Sequence, residues 1–169
     1  MTPRKCDVCG EAMTSRRTTE VEPYAYVLGG LPRVGLAGID VHRCPACYVE
    51  TPVIPKIGQL HNVLAKLFLR KPRPLAGEEV RFLRKQARLP AQKFAALLGI
   101  DPSYLSRVEN GKVESLGNTT DRLARAIVSA AIYSRMVVQV LLNETEPNAP
   151  LRRPLVTLDS KRRWKETVA

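Results

Sequence analysis

The sequence predicts an α+β fold made of two small domains, the first built from short strands plus one helix and the second an all-α bundle. Three observations predict it. All four cysteines of this 169-residue chain lie in its first third, as two pairs. The segment 71–77 holds two prolines through which a helix cannot continue. Apolar residues at helical spacing follow it, with clear start and stop residues. We therefore divide the chain into domains 1–70 and 78–145, a proline-rich linker 71–77, and a basic extension 146–169.

Residues of high β propensity in the first domain indicate a ribbon. One run covers 18–28 and a second covers 36–43, with a turn at 29–30 between them. The apolar period then changes to that of a helix over 57–69. We expect a small β-ribbon followed by one helix.

Two CxxC motifs flank this ribbon, one at Cys6 and Cys9 and the other at Cys44 and Cys47. A CxxC turn folds back so that both sulfurs face one ion, and two such turns complete the tetrahedral shell that Zn²⁺ prefers. Gly10 suits the positive φ that such a turn often needs. Because a shell of four cysteines leaves no open position, we predict one structural zinc ion per chain, in a zinc ribbon. The alternative, a redox-active CxxC, requires a thioredoxin-like βαβ context that the sequence lacks.

Residues 89–111 have the spacing of two short helices joined by a turn that contains Gly99. Ala95 stands where such helices cross, and Asp101 followed by Pro102 marks the start of the second helix. With the apolar residues turned inward, the second helix keeps a polar outer face, which we predict to enter the major groove of double-stranded DNA. The predicted DNA-contacting residues are Gln92, Lys93, Ser103, Tyr104, Ser106, Arg107, Asn110 and Lys112.

These residues are expected to play different parts. Arg107 suits a forked contact to guanine, whereas Lys93 and Lys112 suit phosphates, which position a protein without reading sequence. Lys and Arg number 27 against 16 Asp and Glu, and the formal net charge of +11 suits a polyanionic partner. The alternative is a helical hairpin that packs against another protein, with the charge serving solubility alone.

A further helix is predicted from residue 118 to about 142, with Asp121 serving the amides of its first turn and an apolar stripe along Leu123, Ile127 and Ala130. Beyond it, residues 155–158 form a candidate short strand, and a basic cluster at 161–165 surrounds the only tryptophan.

Several function classes fit poorly. The chain has only two histidines and none of the metalloprotease, phosphate-loop or nucleophile-elbow motifs, so we predict that it is not an enzyme. Its start leads into no apolar signal region and its apolar stretches are too short to span a membrane, so we expect a cytoplasmic protein. A zinc ribbon that binds RNA or acts as an adaptor is a third hypothesis, although the ribbon has few aromatic residues for base stacking.

The order of CxxC ribbon, linker and helix-turn-helix resembles the MqsA/YgiT family of antitoxins, and residues 78–131 resemble the Xre/Cro repressor domain, a lambda-repressor-like bundle. The resemblance covers residues 4 to about 131. The repressor signature is present as Arg84, Ala95 and the segment 106–111. The resemblance implies a partly buried ion pair between Arg84 and Glu109, which makes Glu109 structural.

The resemblance also implies a homodimer that represses its own operon at a palindromic operator and holds a toxin ribonuclease with its zinc half. Of the two base-reading residues of the antitoxins, Arg107 matches, but Ser103 stands where the family has Asn. Pro90 and Ala91 replace the usual Ser/Thr-Gln opening of the first helix of the motif. The operator sequence therefore does not carry over. A free-standing zinc-ribbon regulator without a toxin is the alternative.

Overall fold

A computed structural model of the chain describes residues 4–133 and 155–167. Its fold is mixed α+β, as the sequence predicts, with strands around the cysteines and a helical region after them. The chain forms two compact units. The cysteine unit holds the described residues of 1–27, 32–63 and 153–169, and the helical unit holds those of 28–31 and 64–152. The domain boundaries drawn from the sequence stay a prediction.

The described residues form seven strands and five α-helices, with one short 3₁₀ turn at Val27–Gly29. The strands are β1 Thr14–Arg17, β2 Tyr24–Tyr26, β3 Leu31–Ala37, β4 Asp40–Arg43, β5 Glu50–Val53, β6 Leu155–Leu158 and β7 Trp164–Thr167. The helices are α1 Ile57–Arg70, α2 Gly77–Gln86, α3 Ala91–Leu98, α4 Pro102–Glu109 and α5 Asn118–Tyr133.

The cysteine unit contains an antiparallel sheet with the strand order β1-β4-β5. Its first strand precedes the run 18–28 that the sequence favours, of which only β2 becomes a strand. All four side chains of β1 are exposed, so no alternation of apolar and polar residues marks it in the sequence. The second predicted run divides into the end of β3 and β4 at Gly38, whose φ is +76°.

The second sheet has the order β2-β3-β6-β7 and draws its last two strands from the end of the chain. Strand β6 runs parallel to β3, with Leu36 opposite Val156, and antiparallel to β7. The short strand predicted at 155–158 is confirmed. Trp164 is buried, and its indole N–H donates to the carbonyl of Pro55 at 2.8 Å. The C-terminal hairpin is thus an integral part of the cysteine unit.

The helical unit is formed by α2 to α5 together with the end of α1. Phe68 of α1 meets Phe82 of α2 edge to face, with ring centroids 5.7 Å apart. This geometry lets two aromatic rings pack closely in a small core. Other buried apolar residues of the unit are Leu64, Leu75, Val80, Leu83, Phe94, Leu98, Leu105, Val108 and Leu116.

Helix α5 buries a face other than the apolar stripe along Leu123, Ile127 and Ala130. Leu123 is 40 % exposed and Ala130 is also exposed, so the predicted stripe does not form the inner face. Asp121 lies in the first turn of the helix, as the sequence predicts, and its carboxylate accepts from the backbone amide of Leu75. The predicted continuation to about residue 142 lies outside the described residues. The buried positions are Asp121, Ala124, Arg125, Ala126, Val128 and Ser129.

Among the described residues, none of the helices has both the length and the apolar character that crossing a membrane requires.

Candidate metal centre and nucleic-acid interface

The four cysteine sulfurs converge at one point of the cysteine unit. Their Sγ atoms all lie within 4.8 Å of one another. Cys9 is 3.4 Å from Cys44 and Cys6 is 3.5 Å from Cys47, far beyond the roughly 2.05 Å of a disulfide bond. A tetrahedron with metal–sulfur distances of about 2.3 Å has edges of roughly 3.8 Å, close to these separations. The four thiols can therefore hold a metal ion.

The two CxxC turns share one backbone geometry. The amide of Gly10 donates to the carbonyl of Cys6 at 2.9 Å, and the amide of Tyr48 donates to that of Cys44 at 3.0 Å. Gly10 has a φ of +77°, as its sequence position predicts, and Tyr48 has a φ of +60° in the equivalent place. Sequence reasoning missed the second position because tyrosine rarely adopts this conformation. The guanidinium of Arg43 lies 5.5 Å from the centre of the Tyr48 ring, a cation–π contact at the same turn.

Backbone amides inside the two turns favour thiolates. The amide of Cys47 hydrogen-bonds the sulfur of Cys44 and lowers the pKa of that thiol to about 6. The amide of Val8, 3.4 Å from the sulfur, lowers the pKa of Cys6 in the same way. The amides of Glu11 and Val49 act in the same direction on Cys9 and Cys47, but hydrogen bonds between the sulfurs and burial outweigh them and raise the pKa of both thiols, that of Cys9 to about 12. Four sulfur donors at one point suit a soft metal ion.

The helix-turn-helix consists of α3 and α4. Gly99 ends α3 in the left-handed conformation, at φ 65° and ψ 31°. The Asp101 side chain then caps α4 by accepting from the amides of Ser103 and Tyr104, at 2.7 and 3.3 Å. Pro102 follows the cap, where its missing N–H costs nothing. The apolar residues of the two helices turn inward, as predicted: Phe94, Ala95, Leu98, Leu105 and Val108 are buried, and Ile100 in the turn is partly buried.

Glu109 faces the interior of the helical unit. Arg84 of α2 donates from Nε and Nη2 to its two carboxylate oxygens, at 2.6 and 2.8 Å. Both side chains are largely buried, and Arg84 also donates to the carbonyl of Leu89. The hydrogen bond to Glu109 raises the pKa of Arg84. The pair links α2 to the end of α4 and keeps the Glu109 carboxylate away from the protein surface.

The outer face of α4 carries the residues that the sequence singles out for DNA. Ser103, Ser106 and Arg107 are exposed, and Tyr104 is partly buried. The Arg107 guanidinium lies 5.9 Å from the centre of the Tyr104 ring, which gives the long arginine a neighbour on the same face. Three further predicted residues, Gln92, Lys93 and Lys112, are exposed at the start of α3 and just after α4.

Three of the predicted contact residues, Ser103, Ser106 and Asn110, form side-chain hydrogen bonds inside the domain. The amide of Asn110 donates to the carbonyl and the hydroxyl of Ser106, at 2.8 and 3.2 Å, while its oxygen accepts from Arg81. A hydrogen bond from the Ser103 hydroxyl is the main reason that the pKa of Asp101 lies below its usual value. The start of α4 is therefore already capped by a carboxylate, which disfavours a phosphate there.

Gly77 is a structurally important residue that sequence reasoning assigned to the linker. It begins α2 against the backbone of α4, and a Cβ built on it would lie 1.8 Å from the carbonyl oxygen of Val108. Only glycine permits this approach of α2 to α4. No local pattern marks the position, since the crowding comes from residues distant in the sequence.

A comparison with protein families supports the assignment of the helical unit. A family model described as a helix-turn-helix domain matches residues 75–135. Curated proteins and solved structures yield no match to the chain. The chain therefore contains both a helix-turn-helix domain and a four-cysteine cluster that can bind a metal ion. The presence of this domain supports a role as a DNA-binding regulator.

Proposed function

We propose that this protein is a sequence-specific transcriptional regulator that binds double-stranded DNA with α4 in the major groove. The exposed guanidinium of Arg107, on a helix-turn-helix that turns Glu109 inward, carries the proposal. An arginine at this place can fork onto the O6 and N7 atoms of guanine. The formal net charge of +11 supports a polyanionic partner.

Within the proposed interface, some residues contact bases and others contact the phosphate backbone. Arg107 and Ser106 read base edges, and Tyr104 supports the arginine. Gln92, Lys93 and Lys112 contact phosphates and set the register of the domain on the duplex. Ser103 and Asn110 complete the interface as side chains whose orientation is fixed by hydrogen bonds within the domain.

The metal that we propose for the four cysteines is zinc, one structural ion per chain. The sulfur separations fit a tetrahedral shell, and four thiolates leave no position for a substrate or water. The cysteines, their turns and the strands that carry them then form a closed module. We assign no catalytic role to it.

We propose a homodimer, which a palindromic operator and the exposed face of α5 support. Two copies with two-fold symmetry read a palindrome, which doubles the number of base pairs that a single helix contacts. Leu123, Ile127 and Ala130 share one face of α5, which is more exposed than the face that packs inward. We propose this face as part of the surface between the two copies.

We further propose that the regulator is the antitoxin and autorepressor of a toxin–antitoxin operon and that the cysteine unit binds the toxin ribonuclease. The order of the two modules supports this, and so do apolar side chains exposed at the CxxC turns, with Val8 at 71 % and Tyr48 at 67 %. The alternative is a free-standing regulator of the same architecture. Co-purification with the product of an adjacent gene for a small ribonuclease favours the antitoxin, and a lone gene favours the alternative.

Selection from a pool of random duplexes tests the DNA-binding proposal. Full-length protein loaded with zinc is used to enrich bound duplexes over several rounds, and the enriched pool is sequenced. We expect a palindromic motif with a guanine in each half-site, and loss of that motif when the selection is repeated with Arg107→Ala. A pool that stays random with the wild-type protein overturns the proposal.

A further inference from the structure

The tip of the C-terminal hairpin, residues 159–165, is a second basic surface, which the helix-turn-helix does not account for. It belongs to the cysteine unit, where β6 and β7 complete the sheet beside β3. Asp159 shapes the turn by accepting from the amides of Lys161 and Arg163 at 3.0 and 2.8 Å, and Arg162 takes the left-handed conformation at a φ of 55°. The tip is therefore an ordered turn with a defined array of side chains.

Trp164 fixes this hairpin to the unit. Trp164 is 4 % exposed, and its indole N–H donates to the carbonyl of Pro55. The residue after that carbonyl, Lys56, is exposed and has a φ of 49°. The contact thus anchors the basic tip beside another basic residue of the same unit.

Most of the positive charge at the tip has no acidic partner within the described residues. Arg163 pairs with Asp159 at 3.2 Å, which uses the carboxylate of the turn. Lys161, Arg162 and Lys165 are exposed, and none of them forms an ion pair with a carboxylate of residues 4–133 or 155–167. Three other exposed arginines of the same unit do have such partners. Arg4 pairs with Asp7, Arg16 with Glu50 and Arg17 with Asp40.

We propose that the hairpin tip is a second DNA contact, at which Lys161, Arg162 and Lys165 bind phosphates of the duplex backbone. The buried ring of Trp164 favours double-stranded over single-stranded nucleic acid, because stacking on single-stranded bases needs an exposed aromatic face. Without one, the tip offers cations alone, which suit phosphates and carry no base preference. This inference rests on the proposed function, since it assumes that the chain binds DNA, and it assigns part of the binding to the cysteine unit.

The salt dependence of DNA binding measures the number of phosphate contacts. The logarithm of the binding constant falls with the logarithm of salt concentration, with a slope of about −0.9 per phosphate neutralised on duplex DNA. We compare the full-length, zinc-loaded wild-type protein with the triple variant Lys161→Gln, Arg162→Gln and Lys165→Gln on a duplex of arbitrary sequence. The slope of the variant is expected to be shallower by about 2 to 3. Each single substitution is expected to remove about 0.9, which keeps the test available if the triple variant misfolds.

A matched control separates local contacts from net charge. The triple variant Arg4→Gln, Arg16→Gln and Arg17→Gln loses the same charge from the same unit, but from cations that already have carboxylate partners. Its slope is expected to stay within about 0.5 of the wild-type value, well short of one phosphate contact. Emission from Trp164, the only tryptophan, reports whether the hairpin stays folded in every variant.

Each outcome decides something. An unchanged slope in the hairpin variant, or equal losses in both triple variants, overturns the inference. If the hairpin variant has a shallower slope but selection finds no preferred sequence, the hairpin contact is supported and the proposal of a sequence-specific regulator fails. If selection yields a motif but the hairpin variant keeps the wild-type slope, the proposal of a regulator is supported and the hairpin contact fails. A wild-type protein that binds no duplex at low salt overturns both.

Discussion

Arg125 and Asp121 form a buried ion pair one turn apart in α5, with 2.7 Å between Nε and Oδ2 and with 4 % and 0 % of their side chains exposed. Buried charges are tolerated when every donor and acceptor is used. Asp121 also accepts from the amide of Leu75. The other two nitrogens of Arg125 donate to the carbonyls of Phe68, Leu69, Lys71 and Arg73, at 3.1, 3.2, 2.6 and 2.7 Å. The pair thus caps the end of α1 and holds the segment that leads to α2.

Replacing Arg125 with methionine is expected to lower the free energy of unfolding by about 3 to 5 kcal/mol, because it leaves a buried carboxylate and several carbonyls without donors. Urea denaturation followed by circular dichroism measures the change. The control is Lys85→Met on the exposed side of α2, which is expected to stay within about 0.5 kcal/mol of the wild type. A loss below about 1 kcal/mol for Arg125→Met would contradict the assigned role.

Gly77→Ala is expected to destabilise the helical unit by about 3 kcal/mol, near the upper end for overpacking, because its new methyl group collides with the backbone of Val108. Backbone cannot swing aside as a flexible side chain can. Gly58→Ala in α1 is the matched control, since nothing lies within 4 Å of a Cβ at that position. Thermal unfolding of both variants gives the comparison. Equal melting temperatures would show that α2 and α4 do not meet as closely as described.

Removal of the metal is expected to unfold the CxxC turns and to spare the helix-turn-helix. The apolar cluster around the thiols consists of Cys6, Met13 and Cys44, with Cys47 packed against it, which is too little to hold the turns alone. Hydrogen exchange measured before and after chelation should show lost protection at 4–17 and 40–53. Protection of α2 to α5 should be unchanged, and the preference for the selected duplex over an arbitrary duplex should remain, because it depends on the helix-turn-helix. If DNA binding disappears with the metal, the two units do not function independently.

The cysteine site and the helix-turn-helix could be predicted because both depend on short-range patterns. Two CxxC pairs, the cap at Asp101 and the stop at Gly99 act within a few residues of sequence. The apolar residues of α3 and α4 likewise follow one helical period, which fixes their inner face. These features can therefore be recognised without knowledge of the surrounding fold.

The misses arise from contacts between distant parts of the chain. The apolar stripe on α5 does not form its inner face, because carbonyls from the end of α1 make it favourable to bury Arg125. The pairing of β6 with β3 joins residues more than a hundred positions apart, and no periodicity encodes such a partner. The hydrogen bond that Asn110 accepts also comes from a distant part of the chain, since Arg81 lies on another helix, and no local pattern indicates it.

The most direct test of the central claim compares two variants of the helix-turn-helix on the selected operator and on single-base variants of it. Arg107→Ala is expected to cost about 1 to 3 kcal/mol on the operator and to reduce the penalty for changing the guanine, because a base contact is lost. Lys112→Ala is expected to weaken all duplexes alike and leave that penalty intact, because only a phosphate contact is lost. Equal losses from both substitutions, with base selectivity unchanged in Arg107→Ala, would contradict the placement of α4 in the major groove.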